Sequence, residues 1–156
     1  MGPRRRRFVL IGVLLAWALV AAGCARNDAP ENDATQKPEE PTTEFTSSGG
    51  VDLTVDTPRE SATATSPLEV NGSVPGSWSF EADFPIEILD ADRRTVAEGY
   101  ATVQGEWMTD EDVDFAGTIE FDPPSTASGF LVLRKANPSG EPERDDEVEI
   151  RIRFDR

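Results

Sequence analysis

Four of the five residues in Asp110-Glu111-Asp112-Val113-Asp114 carry a carboxylate. Closely spaced hard oxygens are what Ca²⁺ takes, and extracellular calcium sites work at weak affinity. Asp110, Asp112 and Asp114 are therefore the candidate metal ligands. The run lacks the glycine turn and distal glutamate of an EF-hand loop. Its plainer reading is a solvated turn leading into a strand, and no metal is expected there. Asp90-x-Asp92 and Asp145-Asp146-Glu147 are read in the same way. Two acids held across a cleft would suit glycoside hydrolysis, but nothing in the sequence singles out a pair. Trp78 and Trp107 are the candidate ligand surface, as a stacking platform for a sugar or a peptide. Core packing is the commoner use of tryptophan in a small β domain.

Absent residue types exclude much. The chain has no histidine, which removes Ser-His-Asp and Cys-His catalysis, imidazole metal sites and imidazole pH switching. It has one cysteine, so neither an intrachain disulfide nor a cysteine zinc cluster can form. No nucleophile motif surrounds its serines or lysines. No catalytic residues are assigned, and an enzyme is not expected.

The lone cysteine is Cys24, and its setting is chemical. Met1–Arg7 is basic, with arginine at positions 4 to 7, and Phe8–Ala22 is an unbroken apolar run of 15 residues. A membrane-spanning helix needs ~20 such residues, whereas ~7–15 suits the apolar region of a signal peptide. The arginines hold the N-terminus in the cytoplasm by the positive-inside bias. The run ends in Val20-Ala21-Ala22-Gly23-Cys24. This resembles the bacterial lipobox, with Ala21 where that motif more often has leucine. The resemblance implies cleavage between Gly23 and Cys24 and a diacylglycerol thioether on the Cys24 sulfur. Two acyl chains anchor a protein stably where one does not. Residues 1–23 are thus read as a lipoprotein signal peptide. The protein is placed on the extracytoplasmic face of the cell membrane, with the covalent lipid its only expected prosthetic group.

These features need elements to present them. Residues 24–50 hold the lipidated cysteine and then an acidic, Pro/Thr/Glu-rich stretch in which Phe45 is the only large apolar residue. Such a stretch cannot bury enough surface to offset chain entropy, and it is read as a disordered tether. As a flexible coil it would span ~28 Å r.m.s., and stretched it reaches at most ~90 Å.

Residues 51–156 change to period two. Val51, Leu53 and Val55 alternate with polar residues, as do Leu68, Val70 and Gly72, then Phe84, Ile86 and Ile88. Val113, Phe115, Gly117, Ile119 and Phe121 share one face, and Val148, Ile150, Ile152 and Phe154 another. These are half-buried strands. Phe130-Leu131-Val132-Leu133 is continuous, which predicts a more central strand. Turn signals stand at Pro75-Gly76, Asp92-Arg93-Arg94, Asp122-Pro123-Pro124 and Asn137-Pro138-Ser139-Gly140. Asn71-Gly72 lies inside an alternating run and predicts a bulge rather than a hairpin. The expected fold is all-β, an antiparallel sandwich of seven or eight strands.

Several pieces occur in an informative order: Ser66-Pro67, Val70 with Gly72, Trp78 to Glu81, Asp90-Ala91-Asp92, Ala97-Glu98-Gly99, Trp107, Phe115 and the closing alternating strand. Over about residues 51–154 the chain resembles the immunoglobulin-like domain named for bacterial spore germination proteins. Arg93 departs from it, standing where that family usually has glycine. The resemblance implies an immunoglobulin-like sandwich on a cell-envelope protein, with no enzymatic activity and no named ligand.

Without residues 1–23 the chain holds 11 Lys and Arg against 30 Asp and Glu, a formal charge of −19. Nucleic acid and anionic lipid need neutralising cations, so neither is an expected partner of the domain. The expected function is a non-catalytic binding or structural module in the envelope. Its expected partner is another envelope protein or a cell-wall component. The alternative is a module for calcium or cell-wall glycan.

Overall fold

The computed structural model describes residues 42–155. Nine strands follow one another: β1 Thr43–Thr46, β2 Asp52–Thr57, β3 Ala62–Ala64, β4 Leu68–Pro75, β5 Asp83–Asp90, β6 Thr95–Val103, β7 Asp112–Ile119, β8 Ser128–Arg134 and β9 Glu147–Phe154. Short 3₁₀ turns occupy Gly76–Trp78 and Pro142–Arg144. Among the described residues no helix is long and apolar enough to cross a membrane.

The strands form one curled sheet in the order β1-β2-β4-β7-β6-β5-β8-β9-β3. It folds into two layers, β1-β2-β4-β7 facing β6-β5-β8-β9-β3, as in an immunoglobulin-like sandwich. β6 closes one side. Ala101 and Thr102 pair with Phe84 and Asp83 on β5 and also with Gly117 and Ala116 on β7.

Alternation sends one residue in two inward. Leu53, Val55, Leu68, Val70, Val74, Phe115 and Ile119 from one layer meet Phe84, Ile86, Ile88, Leu131, Leu133, Ile150 and Ile152 from the other. The Phe84 and Phe115 rings touch edge to face across the layers at 5.1 Å, and Trp78 stands edge-on to Phe84 at 6.4 Å. As expected, β8 is central, flanked by β5 and β9. Val132 is fully buried yet outside the core cluster, so it faces outward. It pairs with Glu87 and Glu149, which Arg134 and Arg93 bridge. Arg93 also lies over the Phe130 ring at 4.3 Å. Long charged side chains thus cover the apolar outer stripe of this layer.

Three expectations need correction. There are nine strands rather than seven or eight, because β1 and β3 have only 4 and 3 residues, too few to show a period. The sandwich is not wholly antiparallel, since β3 lies parallel to β9. Ordered structure also begins before position 51. Within the stretch read as tether, β1 pairs with β2, Phe45 packs on the core and Ser47 is buried. The signal-peptide reading of residues 1–23 and the tether reading up to residue 41 lie outside the described residues.

The expected bulge is present, but the extra residue is on the partner strand. Register shifts between Val55 and Thr57 of β2 opposite Asn71-Gly72 of β4. A Cβ on Gly72 would sit 2.1 Å from the Thr54 carbonyl oxygen, so only glycine permits this close pairing.

Candidate functional site

Strand direction gathers four loops at one end of the sandwich. β1 runs into the turn 47–51, β4 into 76–82, β6 into 104–111 and β8 into 135–146. Backbone hydrogen bonds tie these loops together. The Gly76 amide donates to the Glu111 carbonyl at 3.0 Å, Ala136 to Trp78 at 2.8 Å, and Ser48 to Glu147 at 2.9 Å. At Gly76 the second and third loops nearly touch. A Cβ there would lie 2.4 and 2.5 Å from the carbonyl oxygens of Thr109 and Trp107.

Asp146 locks the first loop to the fourth. Its carboxylate accepts from the Ser47 hydroxyl at 2.8 Å, the Ser48 hydroxyl at 2.9 Å, the Gly49 amide at 2.6 Å and the Glu147 amide at 3.0 Å. Burial raises this carboxyl's pKa. The Gly49, Ser47, Ser48 and Glu147 donors outweigh it and hold the group below the ordinary carboxylate value. Asn137 organises the fourth loop by donating to the Glu141 carbonyl and the Asp145 carboxylate, both at 2.8 Å.

Three open depressions cross this end. One, of about 620 Å³, is lined by Ser77, Ser79, Phe80, Lys135 and Arg144 among others. A second, of about 550 Å³, shares Lys135, Asn137, Asp145 and Asp146 with it and adds Pro85 and Arg134. A third, of about 290 Å³, shares Ser77 and Ser79 with the first and adds Trp107, Met108 and Asp110. Phe80, Tyr100 and Met108 are the large apolar side chains left exposed among the described residues. Phe80 and Met108 line depressions at this end, while Tyr100 stands on β6 opposite Pro85.

The structure separates the two candidate tryptophans. Trp78 is 0% exposed, so it offers no stacking face and is withdrawn from the ligand surface. Its ring supports the loop from beneath, and its indole N–H has no partner. Trp107 is half-buried and lines the third depression with Asp110. Asp112 and Asp114 lie on the exposed face of β7, opposite Pro75 and Ser73. Among the described residues no three His, Cys, Asp or Glu side chains are grouped to hold a metal ion. Asp90 and Asp92 belong to the opposite end. There Asp90 accepts from the amides of Arg94 and Asp92 at 2.9 and 2.8 Å, and the Arg94 amide leads in lowering its pKa against the opposing effect of burial. Gly23 and Cys24 lie outside the described residues.

Phe80, Ser77 and Lys135 are site residues that the pattern of the sequence does not reveal. Ser77 and Phe80 come from the loop 76–82 and Lys135 from the loop 135–146, and the signals for them were the turns at Pro75-Gly76 and Asn137-Gly140 and the run Trp78 to Glu81.

Neither the curated proteins nor the solved structures compared with the chain include a match. A family model does match, that of the immunoglobulin-like domain of bacterial spore germination, over residues 52–152. The two-layer fold and that span agree, and the chain belongs to this immunoglobulin-like family.

Proposed function

We propose that this protein is a non-catalytic binding module, held at the extracytoplasmic face of the membrane by lipid on Cys24 and acting through its four-loop end. One observation carries the reading: of the three large apolar side chains exposed among the described residues, Phe80 and Met108 line depressions at that end. Exposed apolar side chains that share one end of a domain mark a contact surface. The topology fits a tether. The chain enters β1 at Thr43 and runs toward the loop end, while β9 ends at Phe154 on the far side. An anchor attached upstream of Thr43 leaves the loops free to meet a ligand.

The chemistry supports a binder rather than an enzyme. General acid–base work calls for a carboxyl with a raised pKa or a nucleophile beside a base. Among the described residues the two carboxyls with shifted pKa values, Asp90 and Asp146, are both shifted downward by donors that fix turns. The family relationship gives a domain type and does not make this chain a sporulation protein.

The test is labelling of cells expressing the full chain with a fatty-acid analogue. The native protein should take up the label and Cys24→Ser should not. A native protein that takes up no label would overturn the lipid-anchor reading.

A further inference from the structure

We propose that β1 and the turn after it form a mechanical clasp, which carries tension arriving at Thr43 from upstream and, under excess load, opens as one piece while the domain from Asp52 onward stays folded. The clasp takes its load from the proposed anchor on Cys24 and the proposed engagement of the loop end, and it rests on both readings.

The clasp is an addition to the domain. The family match begins at residue 52, and the buried core runs from Leu53 to Phe154. β1 has 4 residues, stands at the end of the sheet order and pairs with β2 alone. Phe45 is its one apolar side chain against the core, and that ring is only partly buried. β8, by contrast, is paired on both sides. Elements with few buried contacts open at lower free energy than central strands, so β1 yields before the rest.

Strand direction decides how the load acts. β1 runs from Thr43 toward the loop end and turns back into β2 through residues 47–51. Thr43 pairs with Val55 and Thr46 with Asp52. With the loops held and the chain pulled at Thr43, tension lies along the strand. The ladder bonds of an antiparallel pair stand perpendicular to the strands. Such a pull shears them together instead of parting them one at a time.

Asp146 takes the load into the second layer. Its carboxylate accepts from the Ser47 and Ser48 hydroxyls at 2.8 and 2.9 Å and from the Gly49 amide at 2.6 Å. The Ser48 amide donates to the Glu147 carbonyl at 2.9 Å. Residues 47–49 follow the last ladder pair, Thr46 with Asp52, so they resist any slide of β1 out of the sheet. Bonds to a carboxylate are stronger than neutral ladder bonds, and Ser47 and Asp146 are both buried. One carboxylate serves three donors, so the turn lets go in a single event.

The experiment stretches the full chain carrying Cys24→Ser, in detergent micelles, between optical-tweezer handles on introduced cysteines. One handle is on Ala34→Cys. The other is on Ser139→Cys in the loop end or on Asp122→Cys beyond the far end of β7, both exposed positions. With the loop-end handle, the first event should be a lengthening of ~20 Å, as residues 43–52 go from a folded-back strand to extended chain. Unfolding of the remainder should follow as a separate, larger step. The first event should need about twice the force found with the far-end handle, where the ladder bonds part singly. Asp146→Asn should lower the loop-end force by about half, and Ser48→Ala by less. The later step should persist in both variants, which shows that they are folded. Equal forces in the two geometries overturn the proposal, as does a force that neither variant lowers, or a first event that unfolds the whole domain. Any of these leaves the lipid reading standing, because Cys24→Ser keeps lipid out of the measurement. A native chain that takes up no fatty-acid label, with the forces as expected, overturns the anchor and not the clasp.

Discussion

The Gly49 amide donates to the Asp146 carboxylate at 2.6 Å across 97 positions of sequence. A Cβ at Gly49 would lie 2.7 Å from the nearer carboxylate oxygen, so contact this close requires glycine. The pair fastens the turn after β1 to the loop before β9, and through it the point where the chain enters the fold. Asp146→Ala leaves two hydroxyls and two amides without their acceptor. At about 1–3 kcal/mol for stranding such buried groups, the variant should lose about 2–4 kcal/mol. Gly49→Ala should lose about 1–3 kcal/mol through steric displacement of the same carboxylate. Urea denaturation of both variants against the native chain measures this.

Acid should weaken the fold in a defined direction. Asp146 and Asp90 both have folded pKa values below the ordinary one. Their contribution is complete above the unfolded carboxyl value of about 3.9, and it is lost as pH falls through the folded values. Tm should therefore hold from neutrality to about pH 5 and fall below about pH 4. Asp146→Asn should start lower and show a shallower acid decline. A variant with the native slope would show that this carboxylate is not the group being titrated.

The buried Trp78 and the exposed Phe80 should behave oppositely. Trp78 is fully buried against Phe84, and Trp78→Ala should cost about 3–5 kcal/mol, the usual loss for an aromatic deleted from a core. Trp78→Phe should cost less, because the indole N–H it removes has no partner. Phe80→Ala, at an exposed ring, should change stability by under about 0.5 kcal/mol. Thermal melts of the three variants separate support from surface.

Calcium should have no effect. Asp112 and Asp114 point to solvent from β7, and no third carboxylate joins them among the described residues. A Tm shift at millimolar calcium that Asp112→Ala removes would restore the acidic run as a metal site.

Legibility in the sequence followed length and burial. β9 was readable because Val148, Ile150, Ile152 and Phe154 alternate with Glu149, Arg151 and Arg153 over a full strand. β8 was readable as central because Leu131, Val132 and Leu133 are all buried. β1 was not. In four residues Phe45 alone is large and apolar, and its pairing with Leu53 is a tertiary fact. β6 was obscured by Gly99 and the exposed Tyr100, which break its alternation. Arg93, flagged as a departure from glycine, does adopt a left-handed φ of 64°. Its ion pair with Glu149 and its place over Phe130 accompany that conformation. The site was legible only in part. Trp107 and Asp110 could be named from residue type, but Phe80 and Lys135 join them only once four loops converge.

The mass of the mature protein taken from its native membrane is the sharpest check on the proposed lipid anchor. The expected species begins at Cys24 and carries the mass of a diacylglycerol thioether on that residue. A chain that still begins at Met1, or one beginning at Cys24 with an unmodified thiol, would contradict it.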